Sequence, residues 1–150
     1  MSRASKDSAV HLWLVLMKAH RAVARHAAKS IEASGLGLSD FAVLEMLLNK
    51  GPQRVNDIGR SVELTSGSIT TAVDRLEARG LLVRELDDAD RRSRIVRLTP
   101  AGRSHISGIF AKHVEALEAA TGGLTKAERT TLIALLKKLG LAAAGTSDEP

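Results

Sequence analysis

The sequence predicts a mainly α-helical chain with a single small β-hairpin. Three observations carry this. Apolar residues recur at helical spacing through most of the 150 residues. Helix-ending and helix-starting residues punctuate those stretches at Gly35–Gly37, Gly51–Pro52, Gly80, Thr99–Pro100 and Gly122–Gly123. One stretch, 82–98, fits no helical face and reads as two short strands around a charged tip.

The first helix is expected over about 8–34. Leu12 to Met17 is apolar on every side, and a helix of that kind must be covered on every side. In a chain this small, a second copy is the natural cover. Ser39 is the expected N-cap of a second helix over 40–49, with Phe41, Leu44, Leu47 and Leu48 inward. A short helix over about 55–61 follows, then a turn near 62–64. The next helix is expected over 65–79, capped by Thr65 or Ser66, with Ile69, Val73 and Leu76 inward and Gly80 as its C′ residue. Two helices joined by a turn of a few residues form a helix-turn-helix.

Strands are expected at Leu82–Leu86 and Arg94–Leu98, although Ile95 and Val96 interrupt strict alternation. Thr99 as N-cap and Pro100 at N1 open a helix running to about Ala120. Thr125 and Glu128 make a capping box for the last helix, whose apolar stripe is Leu132, Leu135, Leu136 and Leu139. The tail after Gly140 is small and polar and is expected to fray.

Composition narrows the function. The formal net charge is +5 and the isoelectric point about 10.0, a balance that suits a polyanionic partner without selecting one. Aromatic residues make up only 2%, too few for the stacking platforms of single-strand binders. There is no cysteine, which excludes disulfides and thiol switches. No apolar run reaches membrane-spanning length and the first residues are polar, so a cytoplasmic protein without membrane contact is expected. No nucleophile elbow, Gly-rich phosphate loop or tight Ser/His/Asp set is present, so no catalytic residue and no cofactor is assigned. His105 and His113 lie eight apart, too far along one helix to share a metal unaided. The aspartates at 87–90 lack the glycine and terminal glutamate of a calcium loop. No metal site is assigned.

The residues that point to chemistry lie in 64–102. Thr65, Ser66, Gly67, Ser68, Thr70 and Thr71 crowd the front of one helix. Small hydroxyl side chains let a helix end enter a major groove, and free first-turn N–H groups favour phosphate. The same residues could serve only as caps. Gly67 costs helix stability that a close approach to DNA would explain. Arg75 is placed to reach DNA, whereas Arg79, at the helix C-terminus, is read as offsetting the helix dipole. At the hairpin tip, an Asp-Arg-Arg run suits an arm that enters a narrow minor groove, with Asp90 holding an arginine in place. The plainer alternative is a solvated charge run.

Taken together, SGSITTAVDRLEARGLL and DADRRSRIVRLTPAGR resemble the MarR family of winged helix-turn-helix regulators, and the resemblance covers nearly the whole chain. It implies one domain over 1–150: dimerisation helices at 8–34 and 100–144, and a winged helix-turn-helix lobe at 38–99. The family's wing signature falls on Asp90, Arg91, Arg92, Leu98 and Thr99, and its recognition helix on 65–79. The implied minor-groove arginine is Arg92, with Arg91 and Arg94 as neighbours on phosphate. The resemblance also implies a homodimer on a near-palindromic double-stranded site, commonly a repressor released by a phenolic or aromatic-acid ligand. The SGSIT segment and the FAVLEMLL helix look closest to the branch that responds to quinones and hydroquinones. Candidate pocket residues are Trp13, Met17, His20 and Met46, each with a plain packing or surface role as its alternative. A metal-responsive or ligand-independent winged-helix regulator is the competing reading.

Overall fold

Ser8 starts the first helix by accepting a hydrogen bond from the His11 N–H at 3.1 Å. The computed structural model describes residues 5–62 and 66–146. The elements, in chain order, are α1 (Ala9–Ala33), α2 (Leu38–Lys50), β1 (Gln53–Arg54), α3 (Val55–Val62), α4 (Ser66–Ala78), β2 (Leu82–Leu86), β3 (Arg94–Leu98), α5 (Pro100–Ala120) and α6 (Lys126–Thr146). The chain divides into two compact units at Leu117–Glu118.

Within the first unit, the buried side chains come from every element from α1 to α5 except β1. Leu44, Leu47, Ile58, Ile69, Leu76, Leu82, Val96 and Ile106 are almost completely enclosed. They pin α2, α3 and α4 against a three-stranded antiparallel sheet of order β1-β3-β2. Each such Leu or Ile contributes about 1.5–3 kcal/mol by leaving water. The hairpin register pairs Leu82 with Leu98 and Leu86 with Arg94. Val96 and Leu98 face the core and Ile95 lies half-buried, so the adjacent Ile95 and Val96 occupy opposite faces of an ordinary strand.

Two junctions are set by backbone chemistry. Gly80 adopts φ +72°, its N–H bonds the Glu77 carbonyl at 2.9 Å, and the Leu81 N–H bonds the Leu76 carbonyl at 3.0 Å. This is a Schellman ending, and it delivers the chain directly into β2. Thr99 then ties the start of α5 to that same turn. Its hydroxyl donates to the Gly80 carbonyl at 2.6 Å and accepts from the Gly102 N–H at 3.0 Å, while its own N–H donates to the Leu81 carbonyl at 3.1 Å.

Three differences from the sequence expectations have local causes. The second helix starts at Leu38, with Gly37 as N-cap, so Ser39 lies inside its first turn. Glycine serves as an N-cap without a side-chain bond. β1 is only two residues long and carries no periodic pattern; it exists because Gln53 and Arg54 add to β3 opposite Val96 and Ile95. In the second unit, α6 continues past Gly140 to Thr146 rather than fraying, since Leu141 and Ala142–Ala144 are strong helix formers. The capping box at its start is present: the Thr125 N–H bonds Glu128 at 2.7 Å and the Glu128 N–H bonds the Thr125 hydroxyl at 3.2 Å.

Candidate nucleic-acid interface

α4 is amphipathic in a simple way. Ile69, Ala72, Val73 and Leu76 are buried, which turns Gly67, Ser68, Thr70 and Thr71 to the surface. Ser66 is the first helical residue, and Thr65 lies outside the described residues. A Cβ added at Gly67 would meet nothing within 4 Å, so intramolecular packing does not require glycine there. Gly67, Ser68 and Thr71 border a shallow depression of about 440 Å³ together with Arg75 and Ser39 of α2. The sequence alone gives Ser39 only a capping role.

Arg75 is committed within the protein. Its Nη2 lies 2.6 Å from Asp40 Oδ1, and its Nε is 3.2 Å from each carboxylate oxygen. Asp40 is buried while the Arg75 side chain remains half exposed. The hydrogen bonds and charge of Asp40 hold the Arg75 guanidinium more firmly protonated than usual. Farther along, Arg84 of β2 bonds both Glu77, at 2.7 Å, and Asp74, docking the hairpin on the exposed side of α4.

The wing tip is shaped by two aspartates. Asp87 is buried at 5% exposure despite its place in a polar loop. Its Oδ1 accepts from the Ala89 N–H at 3.0 Å, and its Oδ2 accepts from Arg54 Nε at 2.8 Å and forms an ion pair with Arg54 Nη2 at 2.7 Å. The Ala89 hydrogen bond and the Arg54 guanidinium hold its carboxyl below the ordinary value. Asp90 instead accepts from the Arg92 N–H at 3.0 Å and the Ser93 hydroxyl at 3.2 Å. The expected arginine-holding aspartate is therefore Asp87, not Asp90, and the arginine it holds comes from β1 rather than from the tip. The sequence hid this because β1 was not foreseen. Among the described residues, Arg91, Arg92 and Arg94 form no ion pair and are exposed.

Of the four candidate pocket residues, Trp13, Met17 and His20 lie on α1 and Met46 lies on α2. Met46 is buried in the core, Trp13 and His20 are exposed on α1, and Met17 is half-buried. A groove of about 730 Å³ lies elsewhere, between the second half of α1 and α5. Lys29, Lys112, His26 and His105 line it, with Ser30 and Ile109. His113 sits beneath, its Nδ1 3.3 Å from the Ser30 hydroxyl and its ring 4.8 Å from that of Phe41 on α2. His105 and His113 thus face different surroundings. Among the described residues no helix is long and apolar enough to cross a membrane.

A helix with a small-residue outer face, set behind a charged β-hairpin, defines a winged helix-turn-helix DNA-binding module. The model of the MarR family matches residues 34–93, which span α2 to the wing tip. The uncharacterized HTH-type transcriptional regulator YkoM of Bacillus subtilis is 37% identical over 135 residues, covering 90% of this chain and 88% of that protein. The HTH-type transcriptional regulator MhqR of the same organism is 36% identical, covering 90% and 93%. The structure of Bordetella bronchiseptica BpsR, whose DNA binding is regulated by 6-hydroxynicotinic acid, superposes with TM-score 0.73 at 27% identity over the full length of both chains. The chain belongs to the MarR family of helix-turn-helix transcriptional regulators and is a DNA-binding protein.

Proposed function

We propose that the chain acts in the cytoplasm as a homodimeric repressor on near-palindromic operators and is released by a small aromatic or phenolic ligand. The observation that carries this reading is the pairing of two surfaces in one unit: the small outer face of α4 and the unpaired arginines of the wing. Gly67, Ser68, Thr70 and Thr71, with Thr65 and Ser66 ahead of them, meet major-groove edges and adjacent phosphate. Arg92 enters the minor groove, flanked by Arg91 and Arg94, while Asp90 fixes the turn that presents them. Arg75 offers only the guanidinium edge that Asp40 leaves uncovered, which suits a phosphate rather than a base.

Dimerisation is supported by apolar surface without a cover. Leu12, Trp13, Leu14 and Val15 on α1 are each at least half exposed, and Leu132, Leu135, Leu136 and Leu139 on α6 are exposed. Such a run on a regulator marks a protein contact. For the ligand, the groove between α1 and α5 has the volume of a small-molecule site, and its lysines and histidines favour an acidic phenol or an aromatic acid. The test is a selection of duplex sites with purified protein, then release assays with phenols, quinones and aromatic acids. Symmetric half-sites about one helical turn apart, and release by one of these classes, are the expected results. A monomer at working concentration, or indifference to every duplex at low salt, overturns the reading.

A further inference from the structure

We propose that a cleft at the base of the wing, bordered on one side by the minor-groove arginine Arg92, binds one backbone phosphate of DNA. The cleft has a volume of about 210 Å³ and is lined by Arg54, Val55, Asn56, Arg92, Ser93 and Arg94. Three guanidinium groups, a carboxamide and a hydroxyl meet there, and no acidic side chain lines it. Arg54 and Asn56 come from the β1–α3 junction, so the site joins the first helix of the helix-turn-helix to the wing.

The neighbouring aspartates do not cancel this arrangement. Asp87 spends its oxygens on the Ala89 N–H and on Arg54, and Asp90 spends its own on the Arg92 N–H and the Ser93 hydroxyl. Arg54 uses Nε and Nη2 on Asp87 and leaves Nη1 without a partner among the described residues. Asp87 is thus a positioning residue that fixes the Arg54 fork at the edge of the cleft. Planar guanidinium groups with fixed donors match a tetrahedral phosphate oxygen pair. Val55 is the cleft's one apolar side chain, and the other lining side chains all carry hydrogen-bond donors. These features select a bare phosphate group, and the DNA-binding activity makes a phosphodiester its source. The inference rests on the wing assignment above.

The experiment measures duplex affinity against salt concentration for the full-length protein and two variants. Arg54→Ala combined with Asp87→Asn removes the ion pair without changing net charge, so an altered salt slope reports a lost phosphate contact rather than a changed field. The slope of log K against log salt should fall in magnitude by about one. Affinity should drop about tenfold, equally for operator and scrambled duplex. Asn56→Ala, which touches no ion pair, should weaken both duplexes by the same factor of a few and leave the slope unchanged. An unchanged slope and affinity in the double variant overturns the proposal while leaving DNA recognition intact. Inorganic phosphate that shifts the NMR signals of Arg54 and Asn56, with duplex binding unaltered in the variants, assigns the cleft to a free phosphate and also overturns it. A wild-type protein that binds no duplex overturns this proposal and the wing assignment together.

Discussion

Arg75 on α4 grips the buried carboxylate of Asp40 on α2 through a fork of three contacts between 2.6 and 3.2 Å. The pair spans 35 residues of sequence and joins the recognition helix to the helix behind it. Removing either partner has unequal consequences. Without Asp40, the half-exposed Arg75 turns to water. Without Arg75, Asp40 is left buried and unpaired, at a cost of about 1–3 kcal/mol. Arg75→Met should therefore destabilise more than Asp40→Asn. The double variant should recover part of the loss, as a urea-unfolding double-mutant cycle reads directly. Equal losses that simply add would show that the pair is not coupled.

Asp87 makes a pH prediction. The Ala89 N–H and the Arg54 guanidinium hold its carboxyl below the ordinary value of 3.8 in the folded chain. A depressed native value stabilises the fold wherever the unfolded carboxyl is ionised, and that stabilisation is lost as pH falls through the native value. Asp87→Asn should be less stable than wild type by a constant margin well above pH 3.8. The margin should shrink as pH falls from there, and vanish below the native value. Unfolding free energies across an acid series check the sign. A margin that widens in acid would contradict it.

Gly102 is fixed by contact. A Cβ at this position would lie 1.8 Å from the Leu81 carbonyl oxygen, which is backbone and already accepts the Thr99 N–H. Gly102→Ala should cost at least the ~3 kcal/mol at the upper end of overpacking, because α5 must back away from the Schellman turn. Gly108, on the same helix, has open space at its Cβ position. Gly108→Ala should stabilise by about 0.5–1 kcal/mol. Thermal melts of the two variants moving in opposite directions would bear out the contact, and parallel shifts would refute it.

How much of this could be read from the sequence follows from how local each determinant is. The hairpin strands, the Gly80 ending, the Thr99 cap and the Thr125–Glu128 box were legible because each is settled within a few residues. The outer face of α4 was legible from the spacing of Ile69, Val73 and Leu76 alone. The partner choices were not. Arg75 with Asp40 and Arg54 with Asp87 join residues 35 and 33 apart, and nothing in either segment announces the other. The groove was missed for a related reason. Its walls include Lys29, His105 and Lys112, which read in sequence as ordinary surface charge and lie on two helices far apart in the chain.

The recognition surfaces of α4 and the wing should separate by mutation. Arg92 forms no ion pair, and its backbone N–H is held by Asp90, so truncating its side chain should leave the tip turn in place. If it enters the minor groove, Arg92→Ala weakens operator binding by about 1–3 kcal/mol. Ser68 lies on the exposed face of α4, where a carboxylate would confront phosphate and base acceptors at once. Ser68→Glu should abolish operator binding while leaving the melting curve and the dimer unchanged, because the residue faces away from the core formed by Ile69, Ala72 and Val73. Fluorescence-anisotropy titrations read the affinities and sedimentation reads the assembly. Unaltered affinity for Arg92→Ala removes the wing from the interface. Full binding by Ser68→Glu removes α4.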